Sequence, residues 1–393
     1  MTFLGIAGIM LGLIAAIWMT GSYTNRKIGF FALIAALHVI TAVVYYEYVQ
    51  ANDADTKLYY FDPYGFRYNE FELGTIFLIN MVQSMRDWLG GTYLDYFLVF
   101  QAFGLWGIAL LVRTLEELAT VMGRTWPPLF TVMLFMPGMY FWTSAIGKDA
   151  PLFFACALSL WATMSISRRW IWFALAVGIM VLFRLHVALV AVAALALAVM
   201  TGRGIGLLVR VLLLAGMGPL IYALIGTIQT SLKLNLSSVG SIVDSVNSQA
   251  SSLANAAAEN GALADQSVLI KLVSLLYRPF FVDAGGVFGL VASIQNIFML
   301  YATYILLAEW RTWRAMFRQS LPIRFATCFF AAMVLMLVVM YYNVGLGLRQ
   351  REMFTPALYL LFAAVYLVRN ARLAQEQAGL RWHGGAVPLR AGQ

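Results

Sequence analysis

The residues of this chain best suited to chemistry are cations that stand beside long apolar segments. Arginine's planar guanidinium donates two parallel hydrogen bonds to phosphate oxygens, and lysine offers a compact positive charge. Several such residues in separate parts of one chain predict a pocket for a polyanion, most simply the pyrophosphate of a lipid-linked sugar. The candidate pyrophosphate-binding residues are Lys148, Arg184, Arg278, Arg349 and Arg351.

Each of these cations also has a structural interpretation. A long basic side chain at the end of a membrane span extends its charged head to the interface, or pairs with a nearby carboxylate. Taken one at a time, the structural interpretation is the stronger, and only the set as a whole favours a pocket. The acids close enough in sequence to pair are Asp149 for Lys148, Asp283 for Arg278, and Glu352 for Arg351.

Candidate general bases lie in two places. His186 follows Arg184 by two residues, and three aspartates stand in an outer segment rich in tyrosine and phenylalanine. Aromatic faces stack on sugar rings, while a carboxylate or imidazole accepts a proton from a sugar hydroxyl. A solvated loop with its rings in the interfacial aromatic belt explains the same pattern equally well. The candidate catalytic residues are His186, Asp53, Asp55 and Asp62.

No motif for metal or cofactor chemistry is visible. There is no Walker loop, no dinucleotide-binding glycine pattern and no His-Glu-x-x-His sequence. The three histidines, His38, His186 and His383, are too scattered to suggest a metal site. Cys156 and Cys328 lie inside apolar runs, where cysteine is usually a small core residue. We therefore expect neither a cofactor nor a metal.

Two short segments concentrate these cations. Segment 141–151 holds the Lys-Asp pair in a turn between spans, where Gly147 permits a bend and Pro151 begins the next helix. Segment 343–351 has two glycines before its two arginines, and loose backbone beside cations favours an anion-binding nest. A plain turn and a flexible loop remain equal alternatives.

The composition requires a membrane around these residues. Of 393 residues, 62% are hydrophobic and only 11% charged, with a mean hydropathy of +0.80. Soluble domains are about 45–50% apolar and about 25% charged, which excludes a water-exposed globule, a disordered chain or a DNA-binding domain. The apolar runs are continuous, so an outer-membrane barrel of alternating strands is excluded as well. We predict an all-α polytopic bundle, with the lipid bilayer and no nucleic acid as partner.

The basic residues orient this bundle. If Arg26 and Lys27 are cytoplasmic, the positive-inside rule places sixteen of the 26 basic residues inside, the N-terminus in the periplasm and the C-terminus in the cytoplasm. Residues 1–370 then form one transmembrane domain and 371–393 a cytoplasmic basic tail. The eleven predicted spans are 3–20, 29–48, 94–113, 126–143, 150–167, 170–183, 187–201, 208–229, 286–308, 325–343 and 354–368.

Two outer segments, 49–92 and 230–285, are too long to be simple turns. The second half of the first has an apolar stripe at helical spacing, which predicts an interfacial helix with Gln83, Arg86 and Asp87 in water. The other outer segment shows a similar stripe among serines, asparagines and alanines. We expect both to be amphipathic helices over the outer face.

Four of these segments carry a resemblance to bacterial proteins of surface-polysaccharide assembly. The chain resembles Wzy-type O-antigen and exopolysaccharide polymerases, and more distantly the GT-C class of glycosyltransferases. The resemblance extends over most of residues 50–370, but its motifs are short and none specifies a reaction. The segments are Phe141–Pro151, Phe183–Leu189, Tyr277–Ala284 and Asn343–Arg351.

This resemblance implies a reaction at the periplasmic face of the inner membrane. A glycan on an undecaprenyl-pyrophosphate carrier is transferred to the sugar of another lipid-linked repeat unit, in synthesis of exopolysaccharide, capsule or O-antigen. The outward arginines hold the leaving pyrophosphate, which requires no metal, and His186 or an acid such as Asp62 deprotonates the acceptor. Other polysaccharide-assembly proteins are implied as further partners.

Two alternatives remain open from the sequence. A GT-C-like enzyme would add one sugar from a polyprenyl-phosphate donor, with one of the three aspartates as base. A transporter or flippase for lipid-linked glycan would need charged groups deep in the bilayer. The deep polar residues predicted from sequence are neutral or weakly ionisable, which counts against ion coupling: His38, Gln101, Gln295 and Asn296.

Overall fold

The structure, a computed structural model, is all-helical, as predicted. It describes residues 2–21, 24–52, 54–66, 72–202, 266–339 and 344–377, with a few residues between 206 and 218. The first ten helices are α1 (Phe3–Thr20), α2 (Asn25–Ala51), α3 (Asp55–Phe61), α4 (Thr75–Leu89), α5 (Tyr93–Val121), α6 (Pro128–Leu134), α7 (Gly138–Phe141), α8 (Asp149–Thr163), α9 (Ile166–Phe183) and α10 (Leu185–Met200). The later helices are α11 (Val268–Tyr277), α12 (Val287–Ala308), α13 (Trp310–Gln319), α14 (Leu321–Val339), α15 (Val344–Arg351) and α16 (Thr355–Gln377).

Seven of the described helices are long and apolar enough to cross a membrane: α1, α2, α5, α9, α12, α14 and α16. Helices α8, α10 and α11 are apolar but shorter. This set is compatible with a multi-pass membrane protein, and the predicted count of eleven spans is not confirmed. The predicted span 208–229, and most of the outer segment 230–285, lie outside the described residues.

The chain divides into two compact units, Met1–Ala188 and Leu189–Gln393. We call them the N-terminal and the C-terminal unit. Helix α5 is the centre of the N-terminal unit, where it contacts α1, α2 and α8. In the C-terminal unit, α16 contacts α12, α13 and α14. Both central helices are largely buried along their length, because other helices cover their apolar side chains.

The predicted span 126–143 is wrong as a continuous helix. The structure divides it into α6 and α7, with a break at Phe135–Pro137. Proline has no backbone N–H and its ring collides with the preceding turn, so Pro137 begins a new helix instead of continuing α6. Sequence hydropathy alone does not reveal this break.

The predicted helix in the first outer segment is confirmed as α4, and Asp87 is exposed as predicted, but the environment of Gln83 and of much of the apolar face was predicted wrongly. Gln83 is buried, and its Nε2 donates to the carbonyl oxygen of Tyr60 at 2.6 Å. Arg86 Nη1 donates to the same carbonyl at 2.8 Å. The apolar face is covered by protein, including α3, instead of lying in lipid. Its fully buried residues are Leu78, Ile79 and Val82.

Close packing at Gly104 of α5 joins three elements of the N-terminal unit. A Cβ atom there would lie 2.7 Å from the carbonyl oxygen of Thr143 and 2.8 Å from Cε1 of His38, and would also collide with Oγ1 of Thr143. Backbone and a buried ring have little room to move. Only glycine therefore permits the segment after α7 and helix α2 to approach α5 this closely.

We expect Gly104→Ala to lower the free energy of unfolding by about 1–3 kcal/mol, because overpacking displaces its neighbours. Gly178→Ala is the matched control, since a Cβ on this exposed helical glycine of α9 meets nothing within 4 Å. The control should be neutral or stabilising by up to about 1 kcal/mol. Thermal unfolding of both purified variants in the same detergent measures the difference. An unchanged midpoint for Gly104→Ala would contradict the packing described.

Candidate functional site

Three of the sequence-predicted site residues come together in the N-terminal unit. Lys148 immediately precedes α8, Arg184 joins α9 to α10, and His186 is the second residue of α10. Arg184 Nη2 lies 3.0 Å from Oδ1 of Asp149. Both Arg184 and Lys148 are near enough for their charges to lower the pKa of His186. We call Lys148, Asp149, Arg184 and His186 the basic cluster.

Local sequence explains how the helix ends converge on the basic cluster. Helix α8 begins at Asp149, two residues before the predicted start at Pro151, and a carboxylate at this position is favoured by the helix dipole. Lys148 Nζ donates to Oγ1 of Thr75, the first residue of α4, at 2.6 Å. The N–H of Gly74 donates to the carbonyl of Leu182 at 2.8 Å, and its φ of +82° favours glycine. The start of α4 is thereby joined to the end of α9.

The basic cluster combines a positive charge with a neutral imidazole. Two cations and one carboxylate leave one net positive charge, and the side chains of Arg184 and Asp149 are only 11% and 6% exposed. Burial lowers the pKa of His186, and the charges of Arg184 and Lys148 lower it further. His186 is therefore uncharged at neutral pH, and the same lowered pKa makes its imidazole a weaker base than a free histidine. An anion bound beside the two cations would raise this pKa again.

A second polar group lies in the interior of the C-terminal unit. Arg351 ends α15 and Glu352 follows it, and each side chain is 1% exposed. Arg351 Nε lies 3.9 Å from Glu352 Oε1, which also accepts a hydrogen bond from Gln295 Nε2 at 2.7 Å. Among the described residues, Glu352 Oε2 and the Tyr359 hydroxyl make no hydrogen bond. We call Gln295, Arg351, Glu352 and Tyr359 the buried polar cluster.

Glu352 is the residue of this cluster that sequence reasoning missed as a site. Burial raises its pKa to about 7, although the positive charge of Arg351 and the hydrogen bond from Gln295 oppose the change. The feature of the sequence that could have identified Glu352 as a site residue is the position of its carboxylate directly before an apolar run. It was interpreted only as a partner that neutralises Arg351. The structure supports that pairing and adds a carboxyl group that exchanges its proton near neutral pH.

The backbone predicted for the anion-binding nest at 343–351 is wrong, because residues 344–351 are helical. The two glycines lie within helix α15 instead of a loosened loop. Arg349 and Arg351 are two residues apart in this helix, which places them roughly 200° apart around its axis. The two cations therefore extend to different sides, with Arg351 buried and Arg349 partly exposed. Asn343 lies outside the described residues.

The contacts of Arg278 agree with its structural interpretation, in which it pairs with the nearby carboxylate of Asp283. Its Nε lies 2.5 Å from Oδ2 of Asp283, whose other carboxylate oxygen accepts a hydrogen bond from the N–H of Phe280. The acid thus holds both the arginine and the turn after α11. Arg278 is one third exposed and already carries a full ion pair, so its geometry gives no separate indication of a ligand.

The acidic aromatic segment also has a structural role in its described part. Asp55 is the first residue of α3, where its charge favours the helix, and Asp53 lies outside the described residues. Asp62 ends α3 with a φ of +43°, and its Oδ1 accepts a hydrogen bond from the N–H of Phe66 at 2.8 Å. The Tyr59 and Tyr60 rings are buried, whereas the Phe61 and Tyr64 rings are exposed.

Because of these contacts, substitutions of Asp62 can distinguish a structural role of this residue from a catalytic one. Asparagine keeps the acceptor oxygen and tolerates a positive φ, so Asp62→Asn should retain full activity and stability. Alanine loses both properties, so Asp62→Ala should lower the free energy of unfolding by about 1–2 kcal/mol. Thermal unfolding and the glycan transfer expected from the sequence are measured for both variants. Loss of transfer in a stable Asp62→Asn variant would instead identify Asp62 as the general base.

Within the described residues, no group of three histidine, cysteine or acidic side chains is placed to hold a metal ion. Comparison with protein-family models, curated proteins and solved structures finds no match for the chain. Function is therefore inferred from the residues and their geometry alone.

Proposed function

We propose that this protein is a membrane glycan polymerase or glycosyltransferase that acts on undecaprenyl-pyrophosphate-linked oligosaccharides in exopolysaccharide, capsule or O-antigen synthesis. One observation supports this most directly: Lys148, Arg184 and His186 converge from separate helix ends into one basic cluster. A pair of cations beside an uncharged imidazole provides a phosphate-binding site together with a proton acceptor. The proposed location is the periplasmic face of the bacterial inner membrane, with the N-terminus periplasmic and the C-terminus cytoplasmic.

The reaction needs two events that the basic cluster can promote. The bond between the sugar C1 and the pyrophosphate oxygen breaks, and C1 forms a new bond to a hydroxyl oxygen of the acceptor. Arg184 and Lys148 donate hydrogen bonds to the departing pyrophosphate and stabilise its increasing negative charge. His186 takes the proton of the acceptor hydroxyl and later releases it to solvent. Asp149 orients Arg184 through its ion pair.

The remaining predicted residues contribute differently to this proposal. Arg278 is paired with Asp283, and the described aspartates 55 and 62 have contacts with a structural role in α3 and the turn after it. Their part in the reaction stays a prediction. Arg349 and Arg351 stay predicted pyrophosphate ligands of the C-terminal unit. The single-sugar transferase with an aspartate base is the weaker form of the proposal, because the contacts of Asp62 are those of a turn residue.

A second candidate function is transport of the lipid-linked glycan, and the buried polar cluster favours it. Proton-coupled transporters need a buried acid whose proton exchanges at working pH. Glu352 has this property, since it is 1% exposed and its pKa is raised to about 7 by burial. Glu352 is buried by protein just before the predicted span 354–368, and the deep polar residues of the predicted spans are neutral or weakly ionisable, which still counts against ion coupling.

The lipid-linked glycans of cells that lack this protein distinguish these functions. Accumulation of single complete repeat units supports the polymerase. Truncated repeat units indicate a single-sugar transferase, and complete units held in the inner leaflet indicate a transporter. Re-expression of the intact chain must restore the normal pattern in each case. A normal glycan pattern in the deletion strain would contradict the whole proposal.

A further inference from the structure

Helix α13 differs from the spans that flank it, because one of its faces is strongly cationic. Arg311, Arg314 and Arg318 are spaced three and four residues apart, which places them on one side of a helix, and all three are exposed. No ion pair joins them to a carboxylate within the described part of the chain. The nearest acid in sequence, Glu309, is held by Arg372 at 2.6 Å. Three positive charges therefore remain on one open face.

The position of this helix relates the charge to the membrane surface. Only Glu309 separates α13 from α12, and only Ser320 separates it from α14. Both neighbours are candidate spans, so α13 lies where the spans end, at the depth of the lipid headgroups. A helix at this depth with a basic face and aromatic side chains has the composition of an interfacial helix.

Side-chain contacts hold α13 in this orientation. Met316 is buried on the opposite side, and Trp313 Nε1 donates to Oγ1 of Thr327 in α14 at 3.2 Å. Arg324 Nη1 donates to the carbonyl of Arg318 at 3.2 Å, which fixes the end of the helix. Trp310 is 47% exposed beside the arginines, as expected for a ring at the water–lipid interface. The arginine face is thus held outward.

We infer that the arginine face of α13 binds the headgroups of anionic phospholipids. Phosphate oxygens match the guanidinium fork, and a net negative headgroup complements three cations that have no carboxylate partner among the described residues. The inference concerns a surface of the C-terminal unit and does not rest on the proposed glycan chemistry. It concerns lipid bound to the protein, which is a different ligand from the pyrophosphate proposed for the basic cluster.

The test uses the full chain purified in detergent and incubated with mixed micelles of phosphatidylglycerol and phosphatidylcholine. Bound lipid is then quantified by mass spectrometry. We expect the intact chain to prefer phosphatidylglycerol, and Arg311→Gln/Arg314→Gln/Arg318→Gln to reduce this preference by roughly 100-fold at low salt. The control removes three exposed arginines elsewhere, Arg26→Gln/Arg124→Gln/Arg168→Gln, and should keep the preference.

Two further measurements keep the test decisive. Each single glutamine substitution in α13 should reduce the preference by about fivefold, which can be measured if the triple variant fails to fold. Raising the salt concentration should weaken the preference of the intact chain. A folded triple variant with unchanged preference, or an equal loss in the control, would overturn the inference.

Discussion

Arg184→Gln is expected to lower glycan transfer by about 100- to 1,000-fold, because removing one donor to a developing oxyanion typically costs that much. The Arg184 side chain is 11% exposed, and its Nη2 lies 3.0 Å from Oδ1 of Asp149. Lys148→Gln should act in the same direction with a smaller effect, since lysine provides a point charge without a planar fork. The measurement is the rate of polymer formation by purified variants.

A loss of activity could also come from an unpaired Asp149, so two further variants are needed. Arg184→Lys keeps a cation near Asp149 but loses bidentate phosphate binding, and should retain stability while activity stays low. Asp149→Asn/Arg184→Gln removes both charges and should be stable but inactive. Arg124→Gln removes an exposed arginine outside the basic cluster and should be fully active. Full activity in a folded Arg184→Gln variant would contradict the assigned role.

The second large effect concerns stability and distinguishes the two members of the buried ion pair. At about pH 8, where Glu352 is ionised, Glu352→Leu leaves the Arg351 guanidinium buried without its carboxylate, and arginine cannot lose its charge. We expect a loss of about 3–5 kcal/mol in the free energy of unfolding. Arg351→Met should cost less, because Glu352 can take up a proton and become neutral. The double variant should recover most of the loss.

The pH dependence of unfolding provides the control for this pair. The folded chain keeps the proton of Glu352 up to about pH 7, whereas the ordinary glutamate pKa is 4.5. The contribution of this group to stability is therefore present below pH 4.5 and is lost as the pH rises towards 7. Glu352→Gln should remove this slope. Equal losses for both single variants at every pH would contradict the buried pairing.

Hydropathy and helical spacing predicted most of the fold because these signals are local. The all-α class and the helix at Thr75–Leu89 follow from such patterns, whereas α8 begins at Asp149, two residues before the predicted start at Pro151. The break before Pro137 comes from the proline itself, which hydropathy does not register, whereas the burial of Gln83 depends on a neighbour far along the chain, the carbonyl of Tyr60. Sequence periodicity holds no information about such partners.

The candidate site was predictable in its residue types but not in its grouping. Lys148, Arg184 and His186 were identified as unusual cations and a base, yet their proximity depends on how α4, α8 and α9 converge. For Arg278 and Arg351 the sequence already contained the correct neighbours, Asp283 and Glu352. The raised pKa of Glu352 arises from burial, which sequence spacing does not specify.

The most direct measurement is the product formed when the purified protein is reconstituted in vesicles with undecaprenyl-pyrophosphate-linked repeat units as the only glycan. The account predicts a ladder of lipid-linked glycans two or more repeats long, with release of undecaprenyl pyrophosphate. Vesicles that contain the Arg184→Gln protein should show single repeats. Movement of unchanged single repeats across the vesicle membrane, with no ladder at any time, would contradict the polymerase and indicate a transporter.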